Sequence, residues 1–130
     1  MKQQLEYFIK KFNEIPDEKW MIHQFYREKR QSLKLLGLTI PFLKLNKTRC
    51  CAQGHCVEKG KLREFASDIA FYGYHKGVLR YPEVFELYRI TQSPEDGDKI
   101  TIGLVNNGDH PKYNQPTPKA RVIAYLNDCY

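Results

Sequence analysis

Leu5, Phe8, Ile9, Phe12 and Ile15 recur at i, i+3, i+4, i+7 and i+10, so a helix over residues 2 to 15 places five apolar side chains on one face. Pro16 closes it, because proline lacks the amide a further turn requires. A face this apolar must be covered by other elements, which commits the chain to a packed core. Toward the other end, Thr117 followed by Pro118 is a second strong signal. Threonine caps free amides, and proline at the first helical position loses no hydrogen bond. Ala120, Val122, Ile123 and Leu126 then give a closing helix of about three turns.

Between these ends the chain alternates apolar runs with glycine and proline punctuation. Trp20 to Tyr26 is aromatic and branched with partial alternation and reads as a strand. Leu33 to Leu45 is apolar and β-branched but broken by Gly37 and Pro41. It is therefore an edge strand, a hairpin arm or an irregular lid, with Phe42 to Leu45 running toward the cysteines that follow. From Cys51 the pattern becomes helical, divided by Gly60 into a short first helix and a longer one carrying Leu62, Phe65, Ala66 and Ile69, with Phe71 as a further candidate. Tyr72 to Gly77 reads as a loop, and Pro82 opens a helix burying Val84, Phe85 and Tyr88. Ser93 to Asp98 reads as an exposed turn. Ile100, Ile102 and Leu104 alternate with Thr101, Gly103 and Val105, which reads as a half-buried strand ending at Asn106-Asn107-Gly108. Asp109 to Gln115 is a loop. No internal repeat, low-complexity tract or dividing linker is present. The expectation is one α+β domain over residues 1–130, with four or five helices around a small, mainly antiparallel sheet.

Hydrophobic residues make up 42% of the 130 and charged residues 28%, the composition of a folded domain rather than of a disordered chain. The amino terminus has no apolar signal region, and no apolar run approaches the ~20 residues needed to span a bilayer. A cytoplasmic protein without a membrane partner is expected. In that reducing compartment Cys50, Cys51, Cys56 and Cys129 are free thiols.

The positive charge is concentrated. Arg27, Lys29, Arg30, Lys34, Lys44, Lys47 and Arg49 share their segment with one acid, Glu28, an excess equal to the +6 of the whole chain. A local excess of this kind attracts phosphate by long-range steering. The plainer reading is a solvated face. Nine tyrosines, seven phenylalanines and Trp20 are more often core than stacking platform, but beside a basic segment they are compatible with nucleotide binding.

Cys50-Cys51-Ala52-Gln53-Gly54-His55-Cys56 gathers three of four cysteines within seven positions. Three readings apply. The preferred one takes the cysteines as small buried hydrophobes at a strand-to-helix junction, where Gly54 permits close packing. In the second, a helix starting near Cys51 lowers its thiol pKa, and Cys51 with His110 as base and Asn106 as orienting group makes a cysteine hydrolase or transferase. In the third, Cys51 and His55, four apart, bind a metal with Cys56, Cys129 or His110; the chain lacks the second ligand pair of structural zinc sites, so no metal or other cofactor is expected. His23 and His75 read as ordinary core-edge or surface histidines. The absence of phosphate-loop, dinucleotide-fold, zincin and RNA-recognition motifs removes those classes.

Taken together, Trp20 after the first helix, Cys51-Ala52-Gln53-Gly54-His55, Asn106-Asn107-Gly108 and Thr117-Pro118-Lys119-Ala120-Arg121-Val122-Ile123 resemble elements of a family of short uncharacterised proteins of bacteria and their phages. The resemblance spans most of the chain and implies an α+β fold. It departs at Asn107, where aspartate is usual, which removes a charge and with it support for acid/base or metal chemistry there. The family brings no activity with it. Residues and resemblance together lead to the expectation of a noncatalytic accessory protein that binds an anionic partner, a nucleotide-like ligand or nucleic acid, through the basic segment. In a phage setting its action would fall on a host system or host protein. The competing expectations are the Cys51-dependent enzyme and a protein-interaction module.

Overall fold

The amphipathic face at the amino terminus forms as expected. In the computed structural model, which describes the backbone of residues 1–35 and 38–130 and the side chains of residues 1–28 and 48–130, α1 spans Lys2–Asn13 and buries Leu5, Phe8 and Phe12. Ile9 and Ile15 pack half-buried at the edge of the same cluster. The Ile15 amide donates to the Phe12 carbonyl as the helix ends before Pro16, and the Trp20 indole donates to the Ile15 carbonyl at 3.4 Å. Trp20 meets Phe12 edge to face, with ring centroids 5.3 Å apart.

Two strands follow. β1 (Tyr26–Leu35) pairs antiparallel with β2 (Leu38–Cys50), giving a two-stranded ribbon. Its register runs from Tyr26↔Cys50 to Ser32↔Lys44, then shifts to Leu33↔Ile40, skipping residues 41–43. Pro41 lies in the skipped stretch, where a residue without an amide hydrogen costs the ladder nothing. The apolar run thus divides between β1 and β2, both of them edge strands of the ribbon, and its residues 36 and 37 lie outside the described ones.

The remaining helices are α2 (Leu62–Tyr72), α3 (Tyr74–Gly77), α4 (Pro82–Thr91), α5 (Thr101–Asn107) and α6 (Pro118–Cys129). Pro82 and Pro118 occupy first-turn positions as the sequence implies, and the Thr117 hydroxyl accepts the Ala120 amide at 3.1 Å. α6 packs on α1 and α5, and α4 on α1 and α5. Among the described residues the apolar core is a helix-and-loop assembly in which Phe65, Val78, Leu87, Val105 and Leu126 are fully buried. The molecule is a single α+β domain with six α-helices and a two-stranded antiparallel sheet among its described residues. None of those helices is long and apolar enough to cross a membrane.

Four local expectations are corrected. Residues 100 to 105 are not a strand: Ile100 precedes α5, which occupies the rest, and the buried residues Thr101, Ile102, Val105 and Asn106 follow a helical period. The misleading alternation comes from branched residues whose packing against α4 and α6 overrides their β preference. The start of α5 is fixed from the preceding turn, where the Thr101 hydroxyl donates to Asp96 at 2.7 Å and Gln92 accepts the Thr101 amide. Of the strand expected over Trp20 to Tyr26, only Tyr26 belongs to one, as the first residue of β1. Trp20 makes one isolated bridge to Cys50, and the chain then bends, with His23 at φ 66°. Here the Met21 carbonyl and the His23 amide are taken up by side chains of α5, while the Met21 amide and the Phe25 carbonyl pair with the backbone at Cys50 and Cys51. Finally, the segment after Cys51 forms only a three-residue 3-10 turn, Gly54–Cys56, whereas Tyr74–Gly77, read as loop, is a helical turn.

Candidate functional site

The cysteine cluster lies where the ribbon leaves the helical core. The Cys51 amide donates to the Phe25 carbonyl at 3.1 Å, carrying the pairing one step beyond the strands. The chain then turns tightly, and the Gly54 amide approaches the Cys51 sulfur at 3.5 Å. A Cβ on Gly54 would lie 2.0 Å from the Phe25 carbonyl oxygen, so no side chain fits there. The glycine-to-cysteine spacing thus serves a close backbone crossing.

All three clustered cysteines are buried. Burial pushes the Cys51 thiol up to about 11, against the smaller opposing effect of nearby backbone amides, and pushes Cys50 up to about 12. Cys56 rises for the same reason. No α-helix begins at Cys51, so the dipole that would favour thiolate is missing. Alkylation should accordingly modify half-buried Cys129 first, with Cys51 reacting about 100-fold slower than a free thiol at neutral pH. Peptide mapping after timed iodoacetamide treatment checks this; early labelling of Cys51 would revive the nucleophile.

The proposed catalytic partners separate. Asn106 does reach the cluster: its side-chain oxygen accepts the Ala52 amide at 3.1 Å, and its nitrogen donates to the Met21 carbonyl at 2.9 Å. It is 1% exposed and fastens both chain segments at the ribbon base to α5. His110 packs elsewhere, 3.6 Å from Asp96 and beside the Tyr113 and Tyr125 rings. Among the described contacts none joins His110 to Cys51 or Asn106. No group of three or more histidine, cysteine or acidic side chains among the described residues is placed to hold a metal ion.

The other motif residues complete the same fastening. Asn107 accepts the His23 amide at 2.8 Å, which anchors the left-handed His23. Gly108, at φ 81°, ends α5, and the Asp109 amide reaches back to the Leu104 carbonyl at 2.9 Å in a Schellman pattern. Arg121, 9% exposed, donates to the carbonyls of Val105, Asn106 and Gln115. Its cation sits at the negative end of α5. Sequence reading included Arg121 only as part of a helix pattern and missed this role, which depends on the loop from Asp109 folding back.

His55 packs on Trp20, ring centroids 4.8 Å apart, and its Nε2 is buried without a hydrogen-bond partner. Burial pushes its pKa down to about 4, with Lys11 and Lys19 adding to the depression and backbone groups of Lys19 and Cys50 opposing it. The folded state therefore favours neutral imidazole. The stability this gives is complete above the unfolded pKa of ~6.5 and is lost as pH falls toward 4, a loss of up to about 3 kcal/mol. Urea unfolding of wild type and His55→Phe from pH 7 to 4 should show a shallower acid limb in the variant.

The ribbon carries the charge in a specific register. Arg27 stands opposite Arg49, and two residues further Lys29 stands opposite Lys47. Positions two apart along a strand share a face, so both pairs lie on one face of the ribbon. Arg27 and Arg49 are exposed. The backbone register also places Arg30 opposite Asn46, Ser32 opposite Lys44 and Lys34 opposite Thr39; the side chains of Lys29, Arg30, Lys34, Lys44 and Lys47 lie outside the described residues.

Beside the ribbon base is a cleft of about 230 Å³. His23 and Phe25 line one side, Cys51 and Gln53 another, and Gly103 and Asn107 of α5 a third. Sequence reading did not single out Gln53 or Gly103 as site residues; the only signal was a glycine inside an apolar run. A larger cleft of about 390 Å³ lies near Asp68 and Glu83, but both carboxylates are already engaged, by Arg80 and Tyr81 and by Lys11 and Tyr7 respectively. No protein-family model matches the chain, and no curated protein or solved structure is significantly similar to it.

Proposed function

We propose that this protein is a noncatalytic accessory protein that binds a polyanion, nucleic acid in the first place, through the basic face of the ribbon. The observation that supports this reading is the pair of successive like-charge positions, Arg27↔Arg49 and Lys29↔Lys47. Like charges directly opposite each other destabilise an antiparallel pair. A row of phosphates removes that repulsion, and a single strand laid along the ribbon presents such a row. Buried, protonated thiols and the placement of His110 speak against the cysteine-dependent alternative. In the bacterial or phage setting expected from the sequence motifs, the partner would belong to a host system.

A second reading, a protein-interaction module, is favoured by Phe71 and Leu79, 81% and 62% exposed. Anisotropy titration of a labelled single-stranded oligonucleotide decides between them. Four phosphate contacts give a slope of log K on log salt of about −3, or roughly 50-fold weaker binding at 200 mM than at 50 mM salt. Absent or salt-independent binding removes the first reading.

A further inference from the structure

We propose that the cleft at the ribbon base receives one unstacked nucleobase, so that the protein holds a single-stranded nucleotide by base and phosphate together; this rests on the ribbon reading above. Gly103 shapes the cleft. It lies inside α5, where glycine destabilises a helix relative to alanine. A Cβ built there meets nothing nearer than the Gln53 side-chain nitrogen at 3.7 Å and the Ile100 Cβ at 3.9 Å, and its φ is not in the left-handed region. Neither close packing nor backbone conformation therefore demands glycine at this position. What its bareness leaves open is the cleft.

The lining specifies the occupant. Among the described residues no lysine, arginine, aspartate or glutamate borders the cleft, which favours an uncharged group. Its volume, about 230 Å³, falls below the ~300–1,000 Å³ of pockets for drug-sized ligands and suits one ring system. Phe25, held edge-on against Phe65 at 4.8 Å, supplies an aromatic ring for a flat partner. The Gln53 oxygen is occupied by the Tyr74 hydroxyl, and the Asn107 oxygen by the His23 and Asn106 N–H groups. Their amide nitrogens remain as donors for acceptor atoms on a base edge. Phe25 precedes Arg27 by two residues, about 7 Å of extended chain, and Arg49 stands directly opposite Arg27. A base in the cleft thus has its phosphate within reach of the guanidinium pair.

The test uses the four ribonucleosides, which carry no phosphate and so report on the cleft independently of the ribbon. Titrated into ¹⁵N-labelled protein, at least one should give saturable shifts centred on Gln53, Gly103 and Asn107. Gly103→Leu, which fills the cleft, should weaken these shifts at least 10-fold, and Gly103→Ala, which suits a helix better than glycine, should weaken them less and melt no lower than wild type. Arg27→Gln/Arg49→Gln should leave them intact while lowering oligonucleotide affinity. No nucleoside shifts, or shifts that neither Gly103 variant changes, overturn the cleft proposal even if oligonucleotides bind. Nucleoside shifts without salt-dependent oligonucleotide binding overturn the ribbon reading instead.

Discussion

Replacing Gly54 by alanine should destabilise the protein by about 3 kcal/mol or more, the upper end of what overpacking a well-filled interior produces. The new methyl group would sit 2.0 Å from the Phe25 carbonyl oxygen and 3.0 Å from the Cys50 Cβ, and the first of these neighbours is backbone. Relief requires moving the Phe25 peptide, which breaks the 3.1 Å hydrogen bond from the Cys51 amide and loosens the ribbon base. Gly60→Ala provides the contrast: nothing lies within 4 Å of its Cβ, and only its φ of 93° resists the change. Chemical denaturation of the two variants should rank Gly54→Ala well below Gly60→Ala. Equal midpoints would mean that the crossing of Gly54 under Phe25 is not a constraint on the fold.

The second large effect concerns binding. Changing Arg27, Lys29, Lys47 and Arg49 together to glutamine should lower oligonucleotide affinity at 50 mM salt at least 100-fold and bring the salt slope close to zero, since each lost phosphate contact removes ~0.7 from it. Stability should move the other way. Removing two opposed like-charge pairs relieves repulsion worth roughly 0.2–1 kcal/mol per pair, so the variant should unfold no earlier than wild type. Affinity lost while stability holds separates a binding surface from a structural one. If affinity is unchanged, the ribbon is only a solvated face.

Much of the fold is legible in the sequence where a signal is local. The Thr117-Pro118 start of α6, the Pro82 start of α4 and the apolar face of α1 each depend on residues within one or two turns, and each forms. α5 was legible only as an apolar segment. Its alternation of Ile100, Ile102 and Leu104 imitates a strand, and what makes it helical is packing against α4 and α6. Trp20 to Phe25 departs for a related reason, because its Met21 carbonyl and His23 amide are taken up by Asn106 and Asn107, more than eighty positions away.

The candidate site divides in the same way. The basic segment is visible as charge, but the opposition of Arg27 to Arg49 and Lys29 to Lys47 requires the strand register. The cysteines attract notice through their chemistry, yet the residue that matters structurally among them is Gly54. Asn106 was singled out as a catalytic partner and proves to be a fastening between Met21 and Ala52. The cleft was invisible, since His23, Gln53 and Gly103 meet only once the helices have packed.

Amide chemical-shift mapping with a single-stranded oligonucleotide at low salt tests the central claim most directly. The largest perturbations are expected on residues 26 to 30 and 46 to 50, with their magnitude declining as salt is raised. Perturbations centred on Phe71, Tyr72 and Leu79, or none at all, would contradict it.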